Sequence, residues 1–145
     1  MAKENKSKYA VLGVLSRCPG SGYDIKKFME QSTSNFWNEK GQQELARWLN
    51  ESIEYAVERN ELLLKLFFGR HTSPAKNIEH VQEFQALQSQ LLKKYEGIER
   101  YLQAGVPTNP DFSYSLMTVR FGIHRCRALL AWSAETLAAL QALTD

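Results

Sequence analysis

Nine residues between Phe112 and Leu140 place the tightest limit on what this chain can fold into. Phe112, Leu116, Val119, Ile123, Cys126, Leu130, Ser133, Leu137 and Leu140 follow one another at alternating steps of four and three. Such steps keep side chains on one stripe of a helix. The spacing therefore predicts a helix over residues 112–144, with a heptad seam and one small polar position at Ser133. Leu129, Trp132 and Ala139 widen the stripe. A second periodic run precedes it: Val81, Phe84, Leu87, Leu91, Tyr95, Ile98 and Leu102 predict a helix from Ala75 or Lys76 to about Ala104. Gly97 weakens that helix by about 1 kcal/mol relative to alanine. Gly105, Pro107 and Pro110 mark the linker between the two. Helices of about 30 residues span roughly 45 Å, and two of them suit an antiparallel pair or an intermolecular bundle. A lone monomer would leave much of both apolar faces in water, so periodicity alone predicts a dimer.

Shorter helical patterns lie upstream. Over residues 41–50, Leu45, Trp48 and Leu49 fall opposite Gln42, Glu44 and Arg47. Ser52 is placed to cap a further helix reaching Phe68 and carrying Ile53, Tyr55, Ala56 and Val57. From Leu62 to Phe68 only Lys65 is polar, and a helix apolar nearly all round is buried on several sides. In a chain of 145 residues, enough for one or two small domains, a partner chain is the simplest source of that cover. Gly69 ends the run, and residues 70–74 read as a loop.

Composition excludes more than it assigns. Hydrophobic residues at 43% and charged residues at 23% describe an ordinary folded chain. The net charge of +2 is too small to imply nucleic-acid binding by itself. Two cysteines, Cys18 and Cys126, lack metal-ligand spacing and read as buried, inert thiols in a reducing compartment. No apolar run approaches the length of a membrane span. The polar N-terminus lacks the core of a signal peptide, so the expected location is the cytoplasm. No phosphate loop, dinucleotide fingerprint or hydrolase motif is present, and no clustered nucleophile, base or metal set. The chain reads as a non-enzyme without a cofactor. His71, His80 and His124 read as solvated, since His80 with Glu83 is too few ligands for a metal site. Arg120, His124 and Arg127 share a helix face opposite the seam, more readily a salt-bridging face toward glutamates than an anion site. Trp48, Tyr101, Tyr114 and Trp132 are candidates for an aromatic-lined pocket between protomers, with core packing as the alternative.

The front of the chain reads as two short helices. Tyr9, Val11, Leu12 and Leu15 predict a first helix over residues 8–17, closed by Pro19 and Gly20. Ser21 with Asp24 resembles a capping box, so a second helix starts near Gly22, with Ile25, Phe28 and Met29 inward. The short link suits a helix-turn-helix, although plain helical hairpins share the pattern. Phe36 and Trp37 read as core or interface packing. Lys3, Lys6, Lys8, Lys26 and Lys27 are candidates for phosphate contacts, against the alternative of a solvated basic arm and face.

The run YAVLGVLSRCPGSGYDIKKF from Tyr9, followed by SNFWNE from Ser34, resembles the N-terminus of PadR-family transcriptional regulators. ELLLKLFFG from Glu61 resembles the start of the C-terminal region in the subgroup with a long C-terminal domain, and LMTVRFGI from Leu116 also resembles the family. The resemblance covers essentially the whole chain. It implies a homodimeric repressor with an N-terminal winged helix-turn-helix, bound to double-stranded operator DNA and relieved by small aromatic effectors. It also implies that the C-terminal helices hold the dimer, here through Leu62, Leu66, Phe67, Phe112, Leu116, Val119, Ile123, Leu130, Leu137 and Leu140.

One departure limits this. In the family, the Asn-Glu motif leads into a recognition helix and a two-stranded wing. Here Asn38 and Glu39 meet Lys40 and Gly41, which open the segment that follows the wing. Roughly forty residues are missing, and nothing between Glu39 and Gly41 alternates like a strand. Either the segment is absent from the polypeptide, or the sequence joins residues flanking a mobile segment. The expected disorder of a recognition helix and wing without DNA favours the second account. The resulting expectation is an all-α chain: an incomplete winged helix-turn-helix over residues 1–50, then a long-helix dimerisation domain over 51–145. If the segment is truly absent, the chain is a helical dimerisation module that does not read DNA.

Overall fold

The computed structural model describes residues 6–17 and 39–144. Among these the secondary structure is entirely helical, with no strand. The elements are α1 (Ser7–Arg17), α2 (Glu39–Leu49), α3 (Glu61–Phe67), a 3₁₀ turn (Gly69–His71), α4 (Pro74–Gly105) and α5 (Asp111–Ala142). The fold is all-α, and the chain divides into two compact units, Met1–Ala56 and Val57–Asp145. The readings of a helix near Gly22, its capping box, the Phe36–Trp37 pair and Cys18 lie outside the described residues.

In the N-terminal unit α1 packs on α2. Tyr9 and Leu12 are buried, as their spacing predicts, whereas Val11 is exposed. The Tyr9 ring stacks on Trp48 with centroids 4.5 Å apart. Leu49, expected on the inner side of α2, is exposed. Helix α2 runs without a break from Glu39 through Lys40 and Gly41. The 145-residue polypeptide is continuous there, which corrects the preference for a mobile intervening segment. A recognition helix and wing between Asn38 and Gly41 are absent from the chain itself.

The C-terminal unit is a helical hairpin with a short lead-in. The helix expected from Ser52 to Phe68 forms only over Glu61–Phe67. Residues 52–59 take no regular structure, and Ile53, Tyr55 and Val57 are exposed. These three alternate with Glu54, Ala56 and Glu58, a period of two that belongs to extended chain. Asn60 then starts α3 by accepting a hydrogen bond from the Leu63 N–H at 3.2 Å. Ser73 caps α4 in the same way, accepting from the Lys76 N–H at 3.2 Å, and Pro74 fits the first turn because its missing N–H has no partner to lose there.

Helices α4 and α5 are 32 residues each, about 48 Å long. Their contacts descend one helix while climbing the other, from Gly105 beside Phe112, through Tyr95 beside Gly122, to Phe84 against Trp132. The pair is therefore antiparallel. Val119, Ile123, Cys126 and Ser133 of the seam are buried. Ser133 has no exposed surface, and its hydroxyl donates to the Leu129 carbonyl at 2.8 Å, which lets a polar residue sit in the seam. Two glycines allow close approach. A Cβ at Gly122 would come within 2.9 Å of the Tyr95 ring, and one at Gly105 would collide with Phe112.

Candidate functional site

Where α4 and α5 face each other they leave an open groove of about 700 Å³. Its deepest lining is Gln88 and Leu102 from α4 with Val119 and Cys126 from α5, all buried. Phe84, Tyr95 and Phe121 are among the walls. At the rim Arg125 donates to Glu58 at 2.9 Å, so the two charges there are already paired.

Gln88 is the residue that periodicity overlooked. It is 8% exposed, whereas Leu87, read as part of the seam, is exposed. The signal is a strict seven-residue repeat through Val81, Gln88, Tyr95 and Leu102, which a search for apolar residues alone skips. Among the described residues no group hydrogen-bonds the Gln88 side chain. Asn77, also buried, donates to the Gly69 carbonyl at 2.9 Å while its own oxygen lacks a partner.

Of the four aromatic residues expected at a pocket between protomers, Trp48 belongs to the N-terminal unit and Tyr101, Tyr114 and Trp132 to the C-terminal unit. Trp48 is stacked on Tyr9 in the N-terminal unit. In the C-terminal unit Trp132 meets Phe84 edge-on at 5.9 Å, Tyr101 leans on Phe112 at 5.8 Å, and Tyr114 is exposed. None of the four lines the groove.

Of the expected dimer residues, Val119 and Ile123 are buried within the single chain. Their stripe is consumed by the α4–α5 packing. Leu62, Leu66, Phe112, Leu116, Leu130, Leu137 and Leu140 are half-buried, and Phe67 is 82% exposed. Phe68, Met117 and Phe121 add to the exposed apolar surface.

Of the lysines expected to touch phosphates, Lys3, Lys26 and Lys27 lie outside the described residues. Lys6 pairs with Glu54 at 3.1 Å. Lys8 donates to Glu44 at 3.0 Å and lies 4.7 Å from the centre of the Tyr9 ring. Glu44 also accepts from Arg47 at 2.7 Å and from the Tyr9 hydroxyl at 3.2 Å. Arg47, and after it Lys8, hold the Glu44 carboxyl down at about 2. The arginine face of α5 is salt-bridging: Arg120 reaches Glu99 at 2.9 Å and Arg127 reaches Glu96 at 3.3 Å. Among the described residues, no three potential ligands gather as a metal site, and no helix is long and apolar enough to cross a membrane.

Comparison with known proteins places this architecture. The family model described as virulence activator alpha, C-terminal, matches residues 58–141. The negative transcriptional regulator PadR of Bacillus subtilis is 24% identical over 175 residues, covering 90% of this chain and 95% of that protein. Since 90% of the chain is about 130 residues, about 45 aligned positions of PadR have no counterpart here. The solved structure of the Vibrio cholerae virulence activator AphA superposes with a TM-score of 0.73 at 21% identity, covering 94% of this chain and 98% of that one. B. subtilis PadR in complex with p-coumaric acid gives 0.69 at 21% identity, covering 94% and 99%. The same protein in complex with operator DNA gives 0.68 at 20% identity, covering 94% and 99%. The fold is thus that of the PadR-type regulators, and the chain belongs to the virulence activator alpha C-terminal family as a homologue of PadR and AphA.

Proposed function

We propose that this protein is a homodimerising helical module of the PadR type that has lost sequence-specific reading of DNA. The observation that carries the proposal is the continuity of α2 across residues 39–41, where the family places its recognition helix and wing. The unmatched stretch of PadR, about 45 positions, has the size of that segment. Base-edge contacts need an element that enters a groove, and phosphate contacts from lysines carry little sequence information. Dimerisation is supported by the exposed apolar surface of the C-terminal unit, with Phe67, Phe68, Met117 and Phe121 open to water in a single chain. In this reading residues 1–50 are the remnant of the DNA-binding domain and 51–145 the dimerisation domain. Leu62, Leu66, Phe67, Leu130, Leu137 and Leu140 contribute to the dimer interface. A small aromatic effector, of the kind implied by PadR having been solved with p-coumaric acid, remains part of the reading.

Sedimentation at micromolar concentration should give twice the chain mass of 16.6 kDa. Fluorescence anisotropy with duplex DNA should give weak binding that falls steeply with salt and does not distinguish sequences. A compact monomer would overturn the first part. Saturable binding to one duplex over its scrambled version would overturn the second, and would restore ligand-controlled operator binding as the function.

A further inference from the structure

We infer that residues 51–59 form a surface for a second copy of the same segment, the two pairing antiparallel as a two-stranded ribbon centred on Tyr55. The inference rests on the homodimer reading above to bring the two segments near each other, and adds a contact made by neither long helix. Residues 52–59 take no regular structure, and among the described residues they make no backbone–backbone hydrogen bond. Ile53, Tyr55 and Val57 are each more than three-quarters exposed. Glu54 and Glu58, of the opposite parity, are engaged within the chain, with Lys6 at 3.1 Å and with Arg125 at 2.9 Å. In extended chain that alternation turns the three apolar side chains away from the groups that hold the glutamates. A row of free backbone donors and acceptors beside an apolar face is what a second strand covers.

The segment fits its own copy. Directly opposed residues of an antiparallel pair lie on the same face, so only registers that set odd positions against odd ones join the two apolar faces. Centred on Tyr55, the pairing sets Ile53 against Val57, Tyr55 against Tyr55 and Glu51 against Arg59. On the other face Glu54 meets Ala56 and Ser52 meets Glu58, so no like charges are opposed. The next such register in one direction sets Glu54 against Glu54, and in the other Glu54 against Glu58. Like charges directly opposite destabilise a strand pair. Arg59 is exposed and has no ion pair among the described residues. Glu51 accepts from Arg47 through Oε1 and keeps Oε2 for Arg59 of the partner subunit. A two-stranded ribbon is marginal by itself, and tethering by the dimer raises the effective concentration of one segment beside the other.

The test uses the full chain at micromolar concentration. Under mild oxidation Tyr55→Cys should close a disulfide-linked dimer at least about tenfold faster than Ile53→Cys, because only residue 55 faces its own copy. Arg59→Glu, which sets a like charge against Glu51, should slow the Tyr55→Cys link about fivefold. By hydrogen exchange, alternate backbone amides within residues 53–57 of wild type should exchange at least about tenfold more slowly than in a free peptide of the same sequence. Tyr55→Pro with Ala56→Pro removes a donor of each parity and should abolish that protection, while sedimentation still gives a dimer. Equal linking by Tyr55→Cys and Ile53→Cys, or amides that exchange at the peptide rate in a sedimenting dimer, overturns the ribbon and leaves the homodimer standing. A linking rate that ignores Arg59→Glu overturns the register centred on Tyr55. A compact monomer overturns the ribbon and the homodimer together.

Discussion

Two residues show how local pairing sets behaviour. Glu44 sits among Arg47, Lys8 and the Tyr9 hydroxyl, and its carboxyl is held at about 2 against an ordinary value of 4.5. A folded value below the unfolded one means that the contribution is fully present above about pH 4.5 and is lost as pH falls toward 2. Thermal melts across that window should show a falling midpoint, and Glu44→Gln should flatten the fall. An unchanged slope in the variant would deny Glu44 this part. Gln88 is the opposite case, a polar group with no partner among the described residues. Its amide atoms still reach solvent in the groove, so Gln88→Leu should leave the urea midpoint nearly unchanged, and a large shift either way would show that the amide is held by the protein.

The elements test the same physics at greater length. Gly122→Val should destabilise the hairpin by about 1–3 kcal/mol in urea unfolding, since the new side chain must displace the Tyr95 ring. Asn60→Ala should cost α3 about 1 kcal/mol, visible as faster amide exchange over Glu61–Phe67 with α4 unaffected. The ion pairs Arg120–Glu99 and Arg127–Glu96 lie at the surface, and each contributes little. Periodicity made α4 and α5 legible almost to the residue, because a heptad sustained over four repeats has no strand equivalent. It failed before Asn60, where Ile53, Tyr55 and Val57 alternate yet were joined to the apolar run that follows. It failed again at Gln88, since a search for apolar positions passes over a polar one in the seam. The groove was not legible at all. Its walls come from both long helices, and a pattern within one helix does not say which residues of the other will face it.

At the scale of the whole molecule, stability and association are coupled. If the exposed apolar side chains of α3 and α5 are covered by a second copy, the melting midpoint must rise with protein concentration, because only the folded form associates. A midpoint constant over a hundredfold dilution, with the protein still folded, would count against the dimer. The hairpin also carries a consequence in time. Its two arms touch first where they are closest along the chain, at Gly105 and Phe112, and last near Phe84 and Trp132. Closing a short loop costs less entropy than closing a long one. Assembly should therefore proceed like a zip from the turn outward. Phe112→Leu should slow refolding, whereas Trp132→Phe should leave refolding nearly unchanged and hasten unfolding, so that the open end of the hairpin sets the lifetime of the folded protein.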